Sequence, residues 1–274
     1  MADDVTVVIG AGGMGEAIAT RIGAGTRLLL ADRDEELLSA VADRLAGQGY
    51  DVTGLPVDIA DRGSVAGLAR AAAGAGPVRK VVHTAGVSPV QAPVPVILAV
   101  DLLGVALVLE EFAEAVAPGG AGLVISSMAS YGPVELSPQE AVQLASAPAD
   151  RLLSLPVTAQ DRFPDSGRAY GFAKRANRLR VQGASVVWGA RGARVNSISP
   201  GLVSTPMGRG ELDGEHGQRI RAMVEASNAG RVGTPADIAA AAEFLLGPSA
   251  GFVSGADLLV DGGVIASSVG GNPG

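Results

Sequence analysis

Thr6-Val-Val-Ile9-Gly10-Ala-Gly12-Gly13-Met14-Gly15, running on into Glu16-Ala-Ile-Ala-Thr-Arg-Ile22, decides how this chain folds. Four β-branched residues in a row, with no polar alternation, predict a short strand buried on both faces. The glycines that follow have the G-x-G-x-x-G spacing, and after them the apolar residues recur at helical intervals. Strand, tight turn and helix are the context in which this spacing binds a dinucleotide. Gly10 makes the turn, and Gly12 lets a pyrophosphate approach the backbone. Gly15 allows the helix to pack closely on the strand, and the phosphates sit at the helix N-terminus beside Gly13 and Met14.

The next segments repeat the pattern. Arg27-Leu-Leu-Leu-Ala31 reads as a second buried strand, ending in Asp32-Arg33. A carboxylate at that position accepts hydrogen bonds from ribose hydroxyls and repels a 2′-phosphate, which argues for NAD over NADP; Arg33 softens the preference. Further strands are predicted at Val52–Val57, ending in Asp58-Ile59, and at Lys80–His83, followed by Thr84-Ala85-Gly86. Others follow at Gly122–Ile125 before Ser126-Ser127, at Ala193–Ile198 before Ser199-Pro200-Gly201, and at Asp257–Val260. Helices are predicted at residues 34–47, 62–73, 95–116, 170–188, 218–227 and 234–246. Alternating strands and helices specify a parallel sheet of about seven strands covered on both faces, in one α/β domain spanning residues 1–266. Ligands of such sheets bind at the carboxyl ends of the strands.

Two stretches interrupt the alternation. Residues 129–168 hold several prolines and one capping-box helix from Ser137, and are read as an insertion near the functional edge. Residues 202–227, with a polar loop to about Gly217, are read as a substrate loop. The Gly- and Ser-rich tail, 267–274, is expected to be loose.

Composition narrows the function. In 274 residues, 47% are apolar, 18% are charged and the net charge is −7, with Lys and Arg scattered. That leaves ample core and no nucleic-acid or anionic-membrane footprint. No cysteine is present, which excludes thiolate metal sites and a cysteine nucleophile, and two histidines give a metal site little support. His83, in a strand, is expected to be a satisfied core residue. The N-terminal Met-Ala-Asp-Asp carries acid where a signal peptide needs base, and the apolar run at 94–108 is too short for a membrane span and contains Asp101. The expectation is a soluble, cytoplasmic protein.

Tyr170-Gly-Phe-Ala-Lys174 carries the chemistry. A tyrosine and a lysine four residues apart on a helix share a face. An ammonium held near a phenol favours the phenolate, which is expected to lower the tyrosine's pKa towards the range useful for proton transfer.

In this order the glycine turn, Asp58, Ala85-Gly86, Ser127, Tyr170-x-x-x-Lys174, Pro200-Gly201 with Thr205-Pro206, and Asp261-Gly-Gly263 make the chain resemble the short-chain dehydrogenase/reductase family over nearly its whole length. The resemblance implies a Rossmann-type doubly wound sheet and hydride transfer between a nicotinamide and a secondary alcohol or ketone. It implies Tyr170 as general acid/base, and Lys174 lowering its pKa and holding the nicotinamide ribose. Ser127 would hydrogen-bond the substrate oxygen, Asp58 and Ile59 would lie at the adenine, and Val203 and Thr205 at the carboxamide. Thr84 replaces the family's asparagine before Ala85-Gly86, and the glycine turn is one residue shorter than usual. Asp101 stands where the family has a relay asparagine, and is expected to take over the relay and pair with Lys174. The long separation of Ser127 and Tyr170 is similar to that in bacterial hydroxysteroid dehydrogenases and carbonyl reductases, which implies a bulky alicyclic substrate. A homo-oligomer, dimer or tetramer, is also implied. The alternatives are an epimerase or dehydratase of the extended relatives, and a catalytically silent NAD-binding sensor or scaffold.

Overall fold

The computed structural model describes residues 4–269. Seven strands form one sheet: β1 (Val5–Ile9), β2 (Arg27–Asp32), β3 (Asp51–Pro56), β4 (Val78–His83), β5 (Val116–Ile125), β6 (Arg194–Pro200) and β7 (Asp257–Val260). The order is β3-β2-β1-β4-β5-β6-β7, and every pairing is parallel. The chain reverses its direction of travel across the sheet between β1 and β4. This switch point opens a crevice at the carboxyl ends of the strands.

The helices are α1 (Gly13–Ile22), α2 (Glu35–Gly47), α3 (Arg62–Ala75), α4 (Val94–Ile97), α5 (Val105–Ala115), α6 (Pro138–Ser146), α7 (Ala149–Leu152), α8 (Ser166–Ala190), α9 (Pro206–Asp213), α10 (Gly217–Glu225), α11 (Pro235–Leu246) and α12 (Val264–Val269). Side chains alternate across the strands, so each face builds its own core. Val7, Ile9, Val81 and Val124 pack against α3, α5 and α8, while Val8, Val82, Leu123 and Ile198 pack against α1, α2 and α11. Trp188 shows how closely α8 sits on the sheet. Its ring fills the space over Gly122, where a Cβ would come within 2.7 Å of it, and its indole N–H donates to the Leu109 carbonyl at 3.1 Å.

Four expectations need correction. The helix predicted at 95–116 is not uniform: α4 and α5 are joined by a π-helical segment, Leu98–Gly104. Such wide turns recur at functional sites, and this one carries Asp101. The tyrosine helix begins at Ser166 rather than at Tyr170, because the Asp165 side chain accepts the Arg168 N–H at 2.8 Å as N-cap. The polar loop before Gly217 contains α9, capped by Thr205 and opened by Pro206. The loose tail begins as α12; the rest of that expectation, at 270–274, lies outside the described residues, as do Met1 to Asp3 of the acidic N-terminus.

The inserted segment is short helices and turns without a strand. Its capping box at Ser137 and Glu140 starts α6, which lies directly on α8. A Cβ on Gly183 would stand 2.2 Å from the Ala145 carbonyl, so only glycine permits this approach. Arg180 of α8 donates to the Leu144 and Ala147 carbonyls at the end of α6 and pairs with Glu110 of α5 at 3.2 Å.

Candidate active site

The glycine turn is built as its residues require. Gly10 has φ +104°, in the region that favours glycine, and a Cβ on Gly15 would stand 1.8 Å from the Gly10 carbonyl. Nothing lies within 4 Å of where a Cβ on Gly12 would point, so the backbone there is open to a ligand. The turn is tied to its neighbours. Ala11 N–H donates to an Asp32 oxygen at 2.7 Å, and the Thr84 hydroxyl donates to the Gly10 carbonyl at 3.0 Å. The other Asp32 oxygen accepts the Asp34 N–H at 3.0 Å, leaving lone pairs on a half-buried carboxylate at the end of β2. Arg33 beside it is exposed.

Asp58 is held by the Ser64 hydroxyl, which accepts its N–H at 3.0 Å, while its own side chain accepts the Ala60 N–H at 2.9 Å. Ile59 is buried against Gly104 of the π-helical segment, where a Cβ would fall 2.9 Å from it. After β6, Gly201 donates to the Val260 carbonyl at 2.9 Å and sits against Asp261, which fixes Pro200-Gly201. The chain then returns over the glycine turn. Val203 bridges to Gly233, and the Thr205 methyl lies 3.2 Å from where a Cβ on Gly13 would point. Gly13 and Thr205, far apart in sequence, therefore face each other.

Beside this cradle lies the polar centre. Lys174 and Asp101 are both buried, and Lys174 Nζ donates to Asp101 Oδ1 at 3.0 Å. The same oxygen accepts the Val87 N–H at 3.3 Å. Gly86 fits between them because a Cβ there would lie 2.6 Å from Asp101 Oδ1 and 3.3 Å from Lys174 Nζ. Lys174 Nζ is 5.3 Å from the centre of the Tyr170 ring. Ser127, at the end of β5, caps a 3-10 turn (Met128–Tyr131) by accepting the Ala129 N–H at 3.1 Å. The neighbouring Ser126 hydroxyl donates to the Lys174 carbonyl at 2.9 Å, locking β5 to α8.

The electrostatics differ from expectation in one respect. Burial lifts the Tyr170 phenol above its ordinary range. Lys174 and the Ser127 hydroxyl pull it down, Asp101 and Glu211 push it further up, and the net shift is upward. The predicted lowering by Lys174 is real but outweighed, because a phenolate loses its water here. Burial also raises the Asp101 carboxyl against the pull of Lys174. For Lys174, burial pushes the ammonium down, but Asp101 and Tyr170 outweigh it and the net shift is upward.

His83 is buried at the end of β4, on the face that carries Val81 and meets α5 and α8. It was expected to be a satisfied core residue, but neither ring nitrogen has a hydrogen-bond partner. Burial, reinforced by Lys174, holds its pKa down at about 3, so the ring is neutral. Both amide atoms of Asn177, one turn beyond Lys174, and Asp101 Oδ2 are likewise without partners.

A cavity of about 430 Å³ opens between the inserted segment and the start of α8, lined by Pro133, Val134, Phe163, Arg168, Gly171 and Phe172. Phe163 and Phe172 pack tilted, with centroids 5.0 Å apart. Among the described residues no helix is long and apolar enough to cross a membrane.

Comparison with known proteins finds relatives over nearly the whole chain. Residues 4–139 match the family model described as short chain dehydrogenase, and residues 131–265 the one described as enoyl-(acyl carrier protein) reductase. The chain is 40% identical to the short-chain dehydrogenase/reductase bsc3 of Alternaria brassicicola, over 97% of each chain. It is 32% identical to D-threitol dehydrogenase of Mycolicibacterium smegmatis, over 94% of this chain and 92% of that one. In fold it is similar to the crystal structure of levodione reductase, with a TM-score of 0.77, 22% identity, and 97% and 98% of the two chains covered.

Proposed function

The chain belongs to the short-chain dehydrogenase/reductase family of oxidoreductases, and from that premise we propose that it interconverts a secondary alcohol and a ketone with NAD as hydride carrier. The observation that carries this reading is the convergence of Ser127, Tyr170, Lys174 and Asp101 beside an open glycine turn.

The residues present fit a dinucleotide. The open backbone at Gly12, with Gly10, Gly13, Met14 and Gly15, would hold the pyrophosphate at the start of α1. Asp32 would accept from the adenosine ribose hydroxyls, and its charge beside a 2′-phosphate disfavours NADP; Arg33 is exposed alongside. Asp58, Ile59, Thr84 and Ala85 would border the adenine side. Pro200, Gly201, Val203 and Thr205 would hold the nicotinamide end, and Gly86 would leave room beside Lys174. When bound, the nicotinamide supplies or accepts the hydride.

The chain's own side chains handle the oxygen and the proton. In the oxidation direction Tyr170 as phenolate takes the alcohol proton, and in reduction it returns it to the substrate oxygen. Ser127 donates to that oxygen as charge develops, and the dry site strengthens the bond. Lys174 favours the phenolate, and Asp101 keeps Lys174 charged; in relay Lys174 would pass a proton to Asp101 as it takes one from Tyr170, so the ammonium is restored. No metal is required for any of these roles.

The inserted segment and the aromatic-lined cavity beside Gly171 favour a bulky alicyclic or hydroxysteroid-like substrate. The similarity to D-threitol dehydrogenase points instead to a small polyol. A panel of steroid, alicyclic, acyl and polyol alcohols with NAD, read by reduced-nicotinamide absorbance, tests the proposal. Turnover of one class supports it and names the class; bound NAD without turnover on any of them favours a sensor. A homo-oligomer belongs to the same reading, with dimer and tetramer separated by a solution mass.

A further inference from the structure

Asp257, the first residue of the edge strand β7, lies below the carboxyl end of the sheet and touches none of the groups assigned above. Its carboxylate is nonetheless the most heavily bonded one near the site. It accepts from the Ser197 hydroxyl at 2.5 Å, from Ser199 at 2.9 and 3.0 Å, and from the Tyr131 phenol at 2.8 Å. Arg178 Nε stands 3.2 Å away, with side-chain exposures of 17% for Arg178 and 7% for Asp257. The Arg178 guanidinium also stacks on the Tyr131 ring at 3.9 Å. A ring closes through buried hydroxyls: Arg178 donates to Ser130 at 3.5 Å, Ser130 meets Ser199 at 3.3 Å, and Ser199 returns to Asp257.

The partners come from three places that matter. Ser130 and Tyr131 belong to the 3-10 turn that Ser127 caps, and the Ser130 N–H donates to the Ser127 carbonyl at 2.9 Å. Arg178 is one turn along α8 from Lys174 and two from Tyr170. Ser197 and Ser199 end β6 just before Pro200-Gly201. Nothing in the packing core demands this cluster, because β6 and β7 already pair through Ser197 to Pro200. A buried carboxylate with four donors is costly to assemble, and once satisfied it rigidifies what it joins.

We propose that Asp257 is a positioning residue that clamps the turn after Ser127, the end of β6 and α8 to one another, and so sets Ser127 against Tyr170. The inference rests on the reading of Ser127 and Tyr170 as the reacting pair. It acts through Ser127, because Asp257 reaches the turn that Ser127 caps directly through Tyr131 and, by way of Ser199, through Ser130.

The test is a double-mutant cycle of Tyr131→Phe with Ser127→Ala, using NAD and whichever alcohol of the panel turns over fastest, with Asp257→Asn as a second clamp variant. Tyr131→Phe is expected to lower kcat on the order of tenfold, as a small misplacement of a reacting group does, with KM and the dissociation constant of NADH moved less than about twofold. Asp257→Asn is expected to lower kcat further, since it also removes the charge pair with Arg178. In the Ser127→Ala background Tyr131→Phe is expected to cost nothing more. Amide exchange at Ser130 and Gly132 is expected to quicken in both clamp variants without a matching fall in global stability. Equal losses in both backgrounds, or clamp variants with wild-type kcat and exchange, would overturn the assignment of Asp257. A Ser127→Ala variant with undiminished kcat would instead overturn the reading of Ser127 on which it rests.

Discussion

Lys174 Nζ and Asp101 Oδ1 are 3.0 Å apart, with side-chain exposures of 6% and 0%. Taking two charges out of water is costly, and this pair acts directly on its neighbours. Asp101 holds Lys174 charged and, through its own charge, raises the Tyr170 phenol.

Replacing Asp101 therefore separates two effects. Asp101→Ala leaves a buried ammonium without its partner and is expected to destabilise the fold by about 3–5 kcal/mol in denaturant titration. Asp101→Asn keeps the shape and removes the charge that raises Tyr170. The ascending limb of the alcohol-oxidation pH profile, which follows phenolate formation, is expected to move to lower pH. A profile that does not move in either variant would show that Asp101 takes no part in the relay.

His83 gives a stability signature. Its folded pKa, about 3, lies below the ordinary value of 6.5. The unfolded chain therefore binds a proton that the folded one refuses. The contribution of a neutral His83 is complete above about pH 6.5 and is lost as pH falls from there towards about 3, with a slope of up to about 1.4 kcal/mol per pH unit. His83→Asn, measured by urea titration across that window, is expected to flatten the slope; an unchanged slope would mean the acid sensitivity lies elsewhere.

The Asp32 carboxylate accepts from Ala11 and Asp34, so it braces the glycine turn, and under the proposed function it would also accept from the ribose. Asp32→Ser is expected to weaken NAD and relieve the repulsion of a 2′-phosphate. The ratio of kcat/KM with NAD to that with NADP is expected to fall by on the order of tenfold or more. A ratio that stays fixed would place cofactor choice on another residue.

The fold was legible because its signals are local. The β-branched run before Gly10, the strand ending in Asp32, and Thr234-Pro-Ala-Asp237 each announce an element within a few residues. Thr205-Pro206 has the same helix-start form and opens α9, although the same residues also match the family's cofactor motif. Asp165 before Ser166 was likewise an available N-cap signal for the earlier start of α8. The π-helical turn at Asp101, which lies against α8, has no such mark in the local residue pattern. The sign of the Tyr170 shift was also out of reach, because spacing places Lys174 beside the phenol but does not reveal how much water both lose. The Asp257 clamp joins residues from β6, β7, α8 and the turn after β5, and no periodicity links them.

Tyr170→Phe tests the central claim most directly. The variant keeps the ring on which Lys174 sits at 5.3 Å and removes only the hydroxyl to which the proposal gives the proton exchange. With the alcohol that the wild-type chain oxidises fastest, kcat is expected to fall by about 10²–10⁴-fold, with NADH binding by fluorescence titration unchanged. A Tyr170→Phe variant that binds NADH and oxidises the same alcohol at the wild-type rate would contradict the account.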